Sequence, residues 1–93
     1  MPSGLEDIVP GYLEMRKQGV REMTELLSAS DFKRLADLGH QLKGSGGGYG
    51  FPELSRLGAA LEESAKQTDR LNLRSHLSEL KLYLDRVQLV AKL

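Results

Sequence analysis

The sequence contains no cysteine and no tryptophan, and its formal net charge is zero. Without cysteine, disulfides and thiolate metal sites are excluded. Thirteen basic residues balance thirteen acidic ones. There is thus no basic excess to neutralise phosphates, which argues against a nucleic-acid partner. No apolar run approaches the roughly 18 residues that a membrane-spanning helix needs. The stretch from Met1 to Val9 has neither a basic n-region nor a long apolar h-region. A cytoplasmic protein with no membrane span is therefore expected, by default. Nowhere do apolar and polar residues alternate with a sustained period of two, so no strand is expected.

What the chain has is helical periodicity. Leu5, Ile8, Val9, Tyr12, Met15, Gly19, Met23, Leu26 and Leu27 recur at helical spacing, and Met15 and Met23 read as core gap-fillers. Pro10 disfavours helical geometry at Val9 but suits the first turn of a helix. This predicts a short turn near Leu5–Val9, then a helix from about Pro10 to Ser28. Ser30 is the predicted N-cap of a second helix, with Asp31 at its positive end. That helix should end at Gly48-Tyr49-Gly50. Pro52 starts a third, with Leu54, Leu57, Leu61, Ser64 and Ala65 inward and Arg56, Glu62, Glu63, Lys66 and Gln67 toward solvent. Thr68 or Asp69 caps a fourth, from about Arg70 to Ala91. Its seam is Leu73, Leu77, Leu80, Leu84, Val87 and Ala91. The expected fold is all-α: one domain over residues 1–93, an antiparallel up-down-up-down four-helix bundle.

The chemistry concentrates in the second helix. Six of the ten glycines fall between Gly39 and Gly50, beside His40, one of only two histidines. At about 100° per residue, Leu35, Leu38, Leu42 and Tyr49 share one side, and His40 points away from them. Lys33, Ala36, Lys43, Gly44 and Gly47 surround it on the outer face. Each interior glycine costs a helix about 1 kcal/mol relative to alanine. That cost is offset if small residues let another surface approach the backbone and the imidazole. Neutral imidazole is a nucleophile near neutral pH. Lys43, one turn on, favours the neutral form and would offset the charge of an attached phosphoryl group.

The run His40-Gln41-Leu42-Lys43-Gly44-Ser45, followed by Gly50, Leu54, Leu57 and Leu61-Glu62, resembles the histidine-containing phosphotransfer (HPt) domain of bacterial multistep phosphorelays. The shared pattern is His-x-x-Lys-Gly, usually with leucine before the lysine and a small residue after the glycine. The resemblance spans about Leu5 to Val90 and departs at Gly46-Gly47-Gly48, where the family often carries alanine or serine. It implies that His40 accepts a phosphoryl group on Nε2 from the aspartyl-phosphate of a receiver domain and passes it to another receiver. Lys43 would screen the phosphoryl charge, Gly44 would leave space for it, and Lys33, Ala36 and Gly47 would belong to the docking face. Receiver domains and a hybrid sensor histidine kinase are the implied partners. Mg²⁺ would sit on the receiver, and the chain would need no cofactor of its own. The reading from another class is a non-catalytic helical adaptor that binds a signalling partner through the same face.

Other features weigh less. A P-loop needs Gly-Lys-Ser/Thr after a strand. Here the order is Lys43-Gly44-Ser45 with no strand before it, so no autonomous kinase activity is expected. His76 reads as a surface residue. No histidine or carboxylate stands three or four residues after His40, so no metal pair is expected on that helix. Leu71, Leu82, Leu89 and Leu93 form a stripe opposite the seam of the fourth helix, open to two readings. One is partial cover by the N-terminal turn, or scattered exposure. The other is a contact surface for a neighbouring domain, or for a second copy of the chain in a homodimer.

Overall fold

A computed structural model describes the backbone of residues 4–91 and the side chains of residues 11–87. Four helices follow one another: α1 (Gly4–Ser28), α2 (Phe32–Gly48), α3 (Pro52–Lys66) and α4 (Arg70–Ala91). Each packs against two neighbours, α1 on α2, α2 on α3, α3 on α4 and α4 on α1, which closes an antiparallel ring. The core is largely leucine. Leu13, Leu35, Leu42, Leu54, Leu57, Leu61, Leu73, Leu80 and Leu84 are all less than 2% exposed.

The three connections share one geometry. Each helix ends with a residue at positive φ, Ser30 at 58°, Gly50 at 83° and Thr68 at 52°. The next residue donates its N–H back into the last turn: Asp31 to Leu26, Phe51 to Gly46 and Asp69 to Ser64, at 2.9, 2.7 and 2.8 Å. This is the Schellman arrangement, which satisfies carbonyls that a helix end leaves orphaned. The same residue then caps or precedes the following helix. Asp31, not Ser30, is the N-cap of α2 and accepts from the Arg34 N–H at 3.2 Å. Ser30 is unavailable because its left-handed backbone closes α1. Asp69 caps α4 by accepting from the Asn72 N–H at 3.1 Å.

Three further expectations need correction. The turn foreseen at Leu5–Val9 is instead the beginning of α1. The restriction that proline places on its predecessor is a bias, and the backbone is helical on both sides of Pro10. The side chains of Leu5, Ile8 and Val9 lie outside the described residues. Met15 is 57% exposed. The buried face of α1 is Tyr12, Leu13, Val20, Met23 and Leu27, and Met15 lies about 110° from its mean direction. His76 is half-buried, with Nδ1 3.7 Å from Glu79. Leu71 and Leu82 are exposed, at 79% and 64%. Leu89, Leu93 and the seam residue Ala91 lie outside the described side chains.

The closest packing is between α2 and α3, and glycine makes it. A Cβ added at Gly39 would stand 2.7 Å from the Glu62 backbone nitrogen. At Gly46 it would stand 2.7 Å from that of Ser55. At Gly58 it would collide with the Lys43 nitrogen and lie 2.8 Å from its Cα. Only glycine admits such an approach of backbones. At Gly44, by contrast, an added Cβ meets nothing within 4 Å. Opposite effects of one added methyl group are therefore expected. Gly58→Ala should lower stability by about 1–3 kcal/mol through overpacking, while Gly44→Ala should raise it by up to about 1 kcal/mol through helix propensity. Urea denaturation of the two variants checks this; equal effects would contradict the packing described.

Candidate functional site

His40 stands on α2 with 70% of its side chain exposed. The Gly39–Gly58 approach brings α3 close enough for Glu62 to reach it. Glu62 Oε2 lies 3.2 Å from His40 Nδ1 and 3.4 Å from Lys66 Nζ. The Glu62 side chain is only 16% exposed, not turned to solvent as its place on α3 suggested. Burial alone would raise its pKa. The hydrogen bond from Lys66 and the charges of Lys66, His40 and Lys43 together outweigh this and hold the carboxyl below its ordinary value. An ionised carboxylate only accepts hydrogen bonds, so the Nδ1 facing it is the protonated nitrogen. In the neutral form of the ring, Nε2 is then the nitrogen with the lone pair.

A shallow cleft of about 430 Å³ opens here, lined by Arg34, Ala36, Asp37, His40, Gln41, Glu62 and Lys66. Of the residues singled out from the sequence, Ala36 and His40 meet in this cleft. Lys33, Lys43, Gly44 and Gly47 are exposed along the same helix but do not line it. The helix is regular through Gly46 and Gly48. The glycines divide into two sets with different work. Gly39 and Gly46 are buried and receive α3, whereas Gly44, Gly47 and Gly48 are exposed.

Glu62 and Lys66 are the residues that sequence reasoning missed. The available signal was a pair of glycines on facing helices. If Gly39 and Gly58 cross, the residue one turn after Gly58 falls beside the residue after Gly39. Among the described residues, no group of histidine, aspartate and glutamate side chains forms a metal site. No helix among them is long and apolar enough to cross a membrane.

Fold and site together define a helical bundle that displays one accessible imidazole, braced from behind by a carboxylate and with a lysine on the next turn. The family model for the Hpt domain matches residues 11–89, and the chain belongs to that family. Membership carries a histidine phosphotransfer role in phosphorelays, in which Hpt domains interact with receiver domains and kinases. No curated protein matches the chain, and no solved structure does.

Lys66 should control the Glu62 titration. In Lys66→Ala the carboxyl loses its chief favourable partner, and its midpoint, followed by carbon-detected NMR of the side-chain carboxyl, should move upward. With its pKa depressed in the folded state, Glu62 contributes stability above the ordinary carboxylate range, and that contribution fades as pH falls through the folded value. An unmoved midpoint in Lys66→Ala would contradict this account of the site.

Proposed function

We propose that His40 is the phosphoacceptor and that the chain carries phosphoryl groups between receiver domains. The observation that supports this most is the 3.2 Å contact between Glu62 and Nδ1 of an otherwise exposed imidazole. With Nδ1 as donor, Nε2 faces outward as the nucleophile. It attacks the phosphorus of a receiver's aspartyl-phosphate. The N–P bond forms, the P–O bond to the aspartate breaks, and the electron pair leaves with the aspartate carboxylate. No proton has to move, because Nδ1 keeps its own. The resulting phosphoimidazolium has its N–H directed at the Glu62 carboxylate, so Glu62 acts as a positioning residue. Reversal of the same step hands the group to an aspartate of the same or a second receiver. A hybrid sensor histidine kinase is the proposed source of the phosphoryl group.

Transfer of this kind depends mainly on positioning and charge neutralisation. Lys43, three residues on, offsets the phosphoryl charge. The open space at Gly44 admits the phosphoryl group and the approaching receiver, and Lys33, Ala36 and Gly47 extend the docking face. Mg²⁺ belongs on the receiver in this scheme, since the one carboxylate bonded to His40 is already shared with Lys66.

His40→Gln should abolish phosphate acceptance from a phosphorylated receiver and leave the melting curve within about 0.5 kcal/mol of the parent, as is usual for an exposed position. Gel-based transfer with radiolabelled receiver, run beside a thermal melt, measures both. Undiminished acceptance would rule out His40 as the acceptor.

A further inference from the structure

The side of the bundle away from the imidazole carries a second surface. His40 and Glu62 meet across α2 and α3, whereas α1 and α4 pack against each other on the opposite side of the ring. Between α1 and α4 run two adjoining cavities of about 520 and 400 Å³, which share Val20, Thr24 and Lys81. Their floor is apolar. Val20, Leu27, Leu77 and Leu84 line it and are all buried, at 9% exposure or less.

The walls are cationic. Five basic residues line the groove against two acidic ones, Glu25 and Asp85, in a chain whose charges cancel overall. Two of the basic residues have structural work. Lys17 reaches Asp85 at 3.5 Å across the groove. Arg70 donates to the Leu27 carbonyl at 2.7 Å and lies over the Phe32 ring. Arg21, Arg74 and Lys81 are exposed, and none of them enters an ion pair among the described residues. Elsewhere on the surface Arg34, Arg56 and Lys66 pair with glutamates, while Lys33 and Arg86 enter no ion pair among the described residues. Uncommitted cations over an apolar floor are complementary to a partner that presents leucine-like side chains flanked by carboxylates.

The shape selects among such partners. From Lys17 to Ser28 the α1 wall spans three helical turns, on the order of 16 Å at 1.5 Å per residue. A groove of that length between two helices accepts a third helix, by apolar anchors at i, i+3/i+4 and i+7. A flat anionic surface would meet Arg21, Arg74 and Lys81 but leave the floor empty. We propose that the α1–α4 groove docks an acidic amphipathic helix of about three turns from another protein. Because it lies opposite His40, it can be filled while a receiver occupies the phosphotransfer face. It would then hold the carrier beside its partners between transfers. The proposal does not depend on the phosphotransfer reading.

The probe is a fluorescein-labelled helical peptide of about four turns, with leucines at i, i+3, i+7 and i+10 and glutamates flanking them. One control replaces its glutamates with lysines, and the other replaces its leucines with serines. By fluorescence anisotropy at low ionic strength, the acidic peptide should bind at least about tenfold more tightly than either control. Its affinity should fall with added salt, because the pairing charges are exposed. Amide shifts in the intact protein should centre on Val20, Thr24 and Leu77 and spare His40. A double charge reversal, Arg21→Glu with Lys81→Glu, should weaken binding at least about tenfold and leave receiver phosphotransfer unchanged. The amide-shift map keeps the test independent of whether that variant folds. Equal binding of all three peptides, no saturable binding, or shifts centred on His40 and Glu62 would overturn the proposal. So would filling of the groove by phosphatidylglycerol vesicles or by a second copy of the chain in place of the peptide.

Discussion

The backbone-to-backbone contact of α2 with α3 governs the geometry of everything near His40. Gly39 and Gly46 from one side and Gly58 from the other remove the Cβ atoms that would keep the helices apart. The gain is local. Close approach carries Glu62 to within hydrogen-bonding distance of an imidazole on the neighbouring helix. The cost is also local, since five glycines in α2 oppose its helix by several kcal/mol. Leu35 and Leu42, both 1% exposed, return about 1.5–3 kcal/mol each on burial. The two quantities are comparable, so α2 is not a helix that stands by itself. It depends on α3, and the site therefore depends on the same contact that shapes it.

The rest of the bundle holds that contact in place. At the C-terminal end of α2, the Tyr12 ring stacks on Tyr49 at 4.1 Å, and the Tyr12 hydroxyl meets Ser45 Oγ at 2.9 Å. This ties α2 to α1 near the exposed glycines. At the other end, Arg70 clamps the α1–α2 corner through the Leu27 carbonyl and Ser30. The repeated Schellman connections make each turn abrupt, so that neighbouring helices run antiparallel along their length. On the α3–α4 side, Arg56 bridges Glu53 and Glu79. Such exposed pairs add little energy singly, but they orient the surface of the bundle. The face that carries His40 is thus a helical surface with open space at Gly44.

Much of this was legible in the sequence because it is local. Pro52 marks the start of α3 and the leucine seam marks the face of α4, each from short-range chemistry. The exposure of His40 follows from its angle to Leu35, Leu38 and Leu42. The family is legible from His40-x-x-Lys43-Gly44. The errors arose where tertiary contact decides. Periodicity says that Gly39 is small, but not that α3 is the surface it receives. For the same reason Glu62, polar and on the outer side of its own leucine stripe, reads as solvated until the neighbouring helix is known. Met15 shares the α1 stripe only when Leu13 and Val20 are not part of it; both are buried, and with them the mean direction turns away from Met15. Ser30 and Asp31 are both good caps. Only the closure of the preceding helix shows which of them is free to act.

The central claim is that Glu62 fixes the proton on Nδ1 of His40 and leaves Nε2 to react. The direct measurement is NMR of the ¹⁵N-labelled protein after phosphorylation by a receiver. Long-range proton–nitrogen correlations and nitrogen–phosphorus coupling identify which ring nitrogen bears the phosphorus. The account requires phosphorus on Nε2 of His40, with Nδ1 still protonated. Phosphorus on Nδ1 of His40, or on His76, would contradict it.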